Sequence, residues 1–305
     1  MRLGQEKINI TDKLDFFARQ VVEGFLTGMH KSPYHGFSVE FAEHRLYNNG
    51  DPVKNVDWKL FARSNKLFVK KFEEETNLRS YLLLDTSSSM FYPVNKESNK
   101  LSFSLYSAAC LMYLFQKQRD GFSLSFFSDK LDFFTDAKST KLHYNRLLSE
   151  IDKKLNIKYI EQERKTDFSD VISDLIEQIP ERSLVIIFSD MINFDQSYSR
   201  KIFEALQHLR YRKHEVILFH VQDRETEQLF NFSNKPHKFI DLENKSEINL
   251  NPMAYQDTYR KLYYSFKKEL ELNCNKYSID YIPSLIEDGF SKVLLSYLTK
   301  RSKII

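Results

Sequence analysis

Short apolar runs alternate with longer segments of helical period from about residue 79 onward. The short runs are rich in β-branched and aromatic residues, and they are too apolar to leave one face in water. The predicted strands are 81–84, 122–127, 184–188, 216–221 and 278–282. Strands that alternate with helices predict an α/β fold, in which helices cover both faces of a mostly parallel sheet.

The segments between these strands repeat apolar residues at every third or fourth position, which places them on one face of a helix. Asn251 followed by Pro252 predicts a helix start, because asparagine caps helices and proline fits their first turn. A last helix is predicted at 287–298. The other apolar stripes contain Leu101, Leu105, Ala108, Met112 and Phe115, then Val171, Leu175 and Ile179, then Ile202, Leu206 and Leu209. We interpret the stripes as ordinary core.

Residues 1–78 follow a different pattern. They begin with an amphipathic helix predicted at 11–26, and a turn-rich, heavily charged section follows it. Within that section, 68–72 alternates enough to be a strand. Because this part has few apolar residues of its own to bury, we expect it to be a small appendage packed on a main α/β domain at 79–301.

Composition narrows the class of protein. Hydrophobic residues make up 42% of the 305 residues, which is enough for a sizeable core. The formal charge of +3 is too small to indicate nucleic-acid binding, so we expect no nucleic-acid partner. The seven glycines form no phosphate-binding loop, and the eight histidines have no zinc-site spacing.

Cysteine usage and hydropathy predict the compartment. Cys110 and Cys274 lie in apolar helical patterns and are expected to be buried small hydrophobes in a reducing environment. The first residues resemble no secretory signal, and no run of about 18 apolar residues occurs. We therefore expect a cytoplasmic protein without an integral membrane segment, while peripheral membrane association stays open.

The strand at 81–84 leads directly into oxygen-bearing side chains. Asp85 follows it, and Ser87 and Ser89 come at every second position after that. The carboxyl ends of parallel strands are the usual ligand sites of open α/β sheets, so these side chains can point at one centre. Two later segments, 165–167 and 188–190, could supply further oxygens at the same edge. Such hard ligands suit Mg²⁺, with Mn²⁺ and Ca²⁺ as alternatives.

The pattern Asp-x-Ser-x-Ser, with a later Thr and a later Asp, resembles the metal-ion-dependent adhesion site of von Willebrand factor A domains. The resemblance implies a von Willebrand factor A-like fold and a metal with one coordination position that a partner's Asp or Glu fills. The ligands, or the residues that hold its water ligands, would be Asp85, Ser87, Ser89, Thr166 and Asp190.

The upstream segment 36–63 resembles the signature of a bacterial family catalogued as domain of unknown function 58. The pattern is G-x-S-x-E-F, R-x-Y, G-D and D-W-K-x-x-A-R, and the resemblance extends over about residues 28–301. Its prominent residues are Glu40, Arg45, Asp51, Asp57, Trp58 and Arg63. The alternating charges around the only tryptophan favour a role in clamping the appendage to the sheet, with direct partner binding as the alternative.

The resemblance implies a protein often encoded beside a MoxR-type AAA+ ATPase, for which it would be an adaptor or a partner. The expected function is therefore a non-enzymatic, divalent-metal-dependent protein interaction module. An ion held by two carboxylates and neutral hydroxyls stays electrophilic, which favours an acidic ligand from a partner. The alternative is a Mg²⁺-dependent phosphoesterase or nuclease that uses Asp85, Asp167 and Asp190 to activate water.

Overall fold

The computed structural model describes residues 10–30, 44–46, 63, 67–70, 78–94, 98–157, 168–191 and 196–304. Its strands are β1 (His44–Leu46), β2 (Phe68–Lys70), β3 (Arg79–Asp85), β4 (Gly121–Phe127), β5 (Leu131–Phe133), β6 (Leu184–Ser189), β7 (Glu215–Gln222), β8 (His237–Ile240), β9 (Glu247–Leu250) and β10 (Asp280–Leu285). Its α-helices are α1 (Ile10–His30), α2 (Lys100–Gln118), α3 (Lys141–Leu155), α4 (Phe168–Gln178), α5 (Gln196–Tyr211), α6 (Pro252–Lys276) and α7 (Ser291–Ile304).

Contacts divide the chain into two compact units. One comprises residues 1–27 and 78–305, and the other comprises residues 28–77. In the second unit, β1 and β2 pair in antiparallel fashion, with Arg45 opposite Val69. Arg63 is exposed, whereas Glu40, Asp51, Asp57 and Trp58 lie outside the described residues.

The first unit is built on a six-stranded sheet in the order β10-β7-β6-β3-β4-β5. Every neighbouring pair is parallel except β4 and β5, which are antiparallel. Counted along the chain from the β5 edge, this is the order 3-2-1-4-5-6 of doubly wound α/β sheets. The predicted mostly parallel α/β fold is therefore confirmed. The strand order reverses between β3 and β6.

Helices cover both faces of this sheet. On one face, Tyr81 and Leu83 of β3 belong to a buried cluster with residues of α4, α5 and α6. On the other face, the ring of Phe122 in β4 contacts the ring of Phe115 in α2. The Phe115 ring also contacts Tyr297 of α7. Because successive strand residues point to opposite faces, the continuous apolar strands serve two cores at once.

The helix α1 belongs to the same unit as the sheet, which differs from the division expected at residue 78. Leu14, Ala18 and Val22 form its buried stripe and require neighbouring apolar surface. The hydroxyl of Tyr144 in α3 donates to Asp15 at 2.9 Å, and the ring of Phe17 lies 4.8 Å from that of Tyr106 in α2. These partners are more than 80 positions away, so helical period alone could not assign them.

Several elements differ from the sequence-based expectation. The last strand begins at Asp280 because α6 continues to Lys276 and the chain turns through Ser278, which has a positive φ of 55°. The elements β5, α3 and the β8–β9 hairpin were not predicted. Both hairpin strands have only four residues and are largely exposed, so they lack the apolar run that marks a buried strand.

Helix starts agree with the capping residues in the sequence. The Asn251 side chain accepts a hydrogen bond from the Met253 N–H, and Pro252 occupies the first turn of α6. Cys110 and Cys274 are buried and free, and burial raises the pKa of each thiol to about 12. In the part of the chain that the structure describes, no helix combines the length and apolarity needed to cross a membrane.

Candidate metal centre

The candidate centre lies where β3 and β6 end side by side. Leu84 of β3 pairs with Phe188 of β6, so Asp85 and Ser189 follow at the same edge of the sheet. This edge is the point where the strand order reverses, and the chain therefore leaves the two strands in opposite directions. The strand order thus reverses at the place where the sequence puts its oxygen ligands.

Asp85 is held from two sides. It is completely buried, and its Oδ1 accepts a hydrogen bond from the Ser87 N–H at 2.9 Å. The Ser189 hydroxyl donates to Oδ2 at 2.7 Å, while the Met191 N–H donates to the Ser189 Oγ at 3.1 Å. The carboxylate orientation is thus fixed by both strand ends before any ligand arrives.

The loop after Asp85 turns its hydroxyls together. The Oγ atoms of Ser87 and Ser89 lie 3.0 Å apart, and a short 3₁₀ helix follows at Ser88–Phe91. Ser87 is completely buried. Neighbouring hydroxyls beside a fixed carboxylate form an oxygen-only donor set, which is the kind that Mg²⁺ and Ca²⁺ prefer.

Asp190 is paired with a lysine that was not among the predicted site residues. The Nζ of Lys100 lies 2.6 Å from Asp190 Oδ2 and 2.5 Å from Glu227 Oε1, and its side chain is only 1% exposed. Burial alone would lower the pKa of Lys100, but Asp190 and Glu227 outweigh it and hold that pKa above its ordinary value. The two carboxylates therefore favour the charged form of Lys100.

Lys100 and Glu227 lie in elements whose beginnings are capped by side chains. Lys100 is the first residue of α2, behind the Asn99 cap, whose side chain accepts from the Ser102 N–H at 2.8 Å. Glu227 lies in a π-helical turn at Arg224–Gln228, and its Oε2 accepts from the Asp223 N–H at 2.8 Å. Both side chains therefore reach the centre from elements with fixed beginnings.

A fourth carboxylate comes from the β8–β9 hairpin. Glu243 lies in its turn, and Ser89, Asp190 and Asp85 are among the groups that influence the pKa of its carboxyl group. Burial raises the pKa of Glu243 to about 7, and the negative charges of Asp190 and Asp85 act in the same direction. The turn of the hairpin thus carries an acidic side chain that responds to the charges of the centre.

The centre carries more negative than positive charge. Burial raises the pKa of Asp85 to about 6, with Asp190 as the second cause, and burial also raises the pKa of Glu227. Among the described residues, the carboxylates of Asp190 and Glu227 both pair with the ammonium group of Lys100, and Asp85 adds a third carboxylate close to Asp190. A further cation among these groups would stabilise their ionised forms.

The donor set fits a divalent cation held by oxygen. Among the described residues, no cluster of three or more His, Cys, Asp and Glu side chains is arranged to hold a metal. The predicted centre does not depend on such a cluster, since only two of its proposed ligands, Asp85 and Asp190, are carboxylates. Its hydroxyl donors, Ser87 and Ser89, are already gathered beside Asp85.

The structure brings four of the five predicted metal residues to one edge of the sheet: Asp85, Ser87, Ser89 and Asp190. Thr166 lies outside the described residues, as does Asp167 of the enzymatic alternative. The role of these residues in metal binding stays a prediction.

Four residues near the predicted ligands were not predicted: Lys100, Ser189 and Glu227, which contact those ligands or their partners, and Glu243, whose carboxyl group is influenced by the charges of Asp190 and Asp85. Ser189 adjoins Asp190 at a predicted strand end, so the same strand-end argument could have found it. The other three carry no local signal, because each lies in a segment where a charged side chain would ordinarily be solvated. Only their approach in space distinguishes them.

Family membership follows from the match over most of the chain. Residues 43–269 match the model of a family described as "Protein of unknown function DUF58". The chain belongs to this family. The upstream signature had predicted the same family, and that prediction is confirmed.

Individual relatives match over a short part. The uncharacterized proteins Mb1516 of Mycobacterium bovis and Rv1480 of Mycobacterium tuberculosis are each 32% identical to this chain over 77 residues. The match covers 25% of this chain and 24% of each relative. The chain thus spans about a quarter of the length of these relatives.

Solved structures with a similar course of the chain include BatB from Bacteroides thetaiotaomicron, with 13% identity and a TM-score of 0.45 over 74% of this chain and 99% of that one. They also include the SpRpn10 VWA domain, with 10% identity and a TM-score of 0.38 over 72% of this chain and 93% of that one. A third is an aerotolerance-related membrane protein from Bacteroides fragilis, with 12% identity and a TM-score of 0.44 over 75% of this chain and 100% of that one. Likenesses at this level say nothing about function.

Proposed function

We propose that this protein is a non-enzymatic docking module whose Asp85 loop holds a divalent cation and presents it to an acidic residue of a partner. The observation that supports this most directly is the centre between β3 and β6. There a buried carboxylate and two gathered hydroxyls lie beside Asp190, amid a surplus of negative charge.

In this proposal Asp85, Ser87, Ser89 and Asp190 are the described residues that hold the ion or its water ligands, and Thr166 is the fifth. The ion is most favourably Mg²⁺, with Mn²⁺ or Ca²⁺ as alternatives, because every donor is a hard oxygen. When bound, the ion supplies an electrophilic centre for a carboxylate from outside. The protein's own groups orient the donors through the hydrogen bonds from Ser87 and Ser189 to Asp85.

The proposed partner is a MoxR-type AAA+ ATPase in the cytoplasm. Support for this partner comes from the resemblance of the sequence to the family, in which such ATPases are often encoded nearby. ATP would belong to the partner, since this chain has no phosphate-binding glycine loop. The signature residues, including Arg63, which is exposed, would hold the upstream segment in place or contribute to the partner interface.

The arrangement at Asp190 favours docking over hydrolysis. A metal-dependent hydrolase needs carboxylates free to orient the ion and an attacking water. Here one oxygen of Asp190 is committed to Lys100 at 2.6 Å. We therefore keep the phosphoesterase or nuclease as an outcome of the test.

The test compares Asp85→Ala and Ser87→Ala with Asp136→Ala, which removes an exposed aspartate elsewhere on the same unit. Circular dichroism should show all three folded. Calorimetric titration with Mg²⁺ should lose the binding signal in the first two variants only. Capture of a MoxR-type ATPase from the native host should need Mg²⁺ and Asp85. Equal capture in chelator would refute the metal bridge, and Asp85-dependent cleavage of a phosphoester or nucleic acid would establish the enzyme instead.

A further inference from the structure

Three turns at the amino edge of the six-stranded sheet carry a cation at the same position. Arg119, Arg182 and Lys213 stand two residues before the first residue of β4, β6 and β7, respectively. All three have a positive φ, of 61°, 60° and 63°. Glycine or asparagine ordinarily adopts this left-handed conformation, which costs other residues stability. Each turn thus holds a long cationic side chain where a small residue would fit better.

These cations form a row with Arg79, the first residue of β3. Their strands are neighbours in the sheet, in the order β7-β6-β3-β4. Pairing aligns the strand starts, since Arg79 lies opposite Gly121 of β4 and Leu184 of β6 lies opposite Glu215 of β7. With about 4.8 Å between neighbouring strands, the four starts span about 14 Å. We call the following four residues, in their order across the sheet, the basic rim: Lys213, Arg182, Arg79 and Arg119.

The charges of the basic rim are open to an outside partner. All four residues are exposed, and among the described residues none of their side chains forms an ion pair. Three acidic residues at the same edge already have partners. Glu181 pairs with Arg212 at 3.6 Å, and Glu215 and Asp280 pair with Lys300 at 2.5 and 3.0 Å. These acidic residues therefore do not neutralise the rim.

We propose that the basic rim binds the surface of a membrane that contains anionic lipids. Attraction to such a surface adds up over single charges and needs no shaped pocket, so a row of exposed cations suits it. Tyr211, the last residue of α5, is 82% exposed two positions before Lys213, and tyrosine favours the level of lipid headgroups. Single-stranded nucleic acids instead stack on successive aromatic rings. Tyr211 is the only exposed aromatic residue described at the three rim turns.

This inference goes beyond the proposed docking function and does not depend on a bound cation. Arg79 and Asp85 are the two ends of β3. At about 3.3 Å per residue, the candidate metal centre lies about 20 Å from the rim along the strand. A rim at the lipid headgroups therefore leaves the centre away from the lipid, where a soluble partner can reach it. The membrane concentrates the module without occupying its docking site.

The experiment measures co-sedimentation of the full chain with phosphatidylcholine vesicles, with and without phosphatidylserine. The rim variant replaces the three turn cations: Arg119→Gln, Arg182→Gln and Lys213→Gln. The matched control replaces three exposed lysines elsewhere on the same unit: Lys130→Gln, Lys235→Gln and Lys268→Gln. Each triple variant removes 3 of the formal net charge of +3 and leaves 0, so only the place of the lost charges differs. Asp85→Ala is the control for the opposite edge of the sheet.

We expect the full chain to bind vesicles only when phosphatidylserine is present, and more weakly as the salt concentration rises. Each lysine or arginine near an anionic surface contributes about fivefold in affinity, so the rim variant should bind about a hundredfold more weakly. The lysine control and Asp85→Ala should bind as the full chain does. If the rim variant fails to fold by circular dichroism, glycine at the same three positions relieves the positive φ and takes its place.

Binding that does not need phosphatidylserine, or that falls equally in the rim variant and the lysine control, would overturn the proposal. Rim-dependent binding of a labelled single-stranded RNA, without binding to vesicles, would assign the rim to a nucleic acid instead. Loss of vesicle binding in Asp85→Ala would show that the lipid contact is not at the amino edge. Because the vesicle assay needs no Mg²⁺, absence of lipid binding leaves the docking proposal standing.

Discussion

Lys100→Met is expected to destabilise the fold strongly. Among the described residues, Lys100 supplies the ammonium group that pairs with Asp190 and Glu227, to which it donates at 2.6 and 2.5 Å. Methionine has nearly the same length, so the cavity term is small and the electrostatic term dominates. Removal of one partner from a buried ion pair leaves uncompensated charge and costs about 3–5 kcal/mol. The two carboxylates left behind place this variant at the upper end of that range.

The same variant should bind a divalent cation more tightly. Without Lys100, no ammonium group balances the negative charges of Asp190 and Glu227. Asp190 is also a proposed metal residue. An ion at 100 times its dissociation constant stabilises the native state by about 2.7 kcal/mol. Mg²⁺ should therefore recover a large part of the stability that Lys100→Met loses, and it should stabilise the unaltered protein less.

The assay is urea unfolding followed by far-ultraviolet circular dichroism, with and without Mg²⁺. The matched control is Lys153→Met, which removes a mostly exposed lysine paired with Glu150 and should change the unfolding free energy by less than about 1 kcal/mol. A loss below about 1 kcal/mol for Lys100→Met would refute the buried ion pair. Recovery by Mg²⁺ that is no greater than in the unaltered protein would refute the competition between Lys100 and the cation.

Two further predictions concern buried groups away from the centre. Cys110 and Cys274 should not react with a thiol reagent in the native protein at pH 8, because burial raises both pKa values to about 12; equal labelling in native and urea-unfolded protein would contradict this. Burial lowers the pKa of His143, whose ring nitrogen lies 3.0 Å from the Phe122 carbonyl, so the unfolded chain gains the proton first. As pH falls from about 7.5 to 5.5, the stability advantage of the unaltered protein over His143→Gln should therefore shrink, and an advantage independent of pH would oppose this.

The sequence by itself determined the elements that have a local signal. The strands β3, β4, β6 and β7 are rich in apolar residues, and each lies within a residue or two of its predicted bounds. The start of α6 was readable from Asn251 and Pro252 because capping acts between close neighbours. The loop after Asp85 was likewise readable, since strand, carboxylate and hydroxyls follow one another directly.

Only the tertiary structure decided which distant groups meet at that loop. The Lys100–Asp190 and Lys100–Glu227 pairs join residues 90 and 127 positions apart. Ser189 donates to Asp85 across 104 positions, from the end of a different strand. Helical or strand period describes how a segment meets a core, but it does not say which segment supplies the other half of a buried ion pair. That choice depends on the order in which the sheet places its strands.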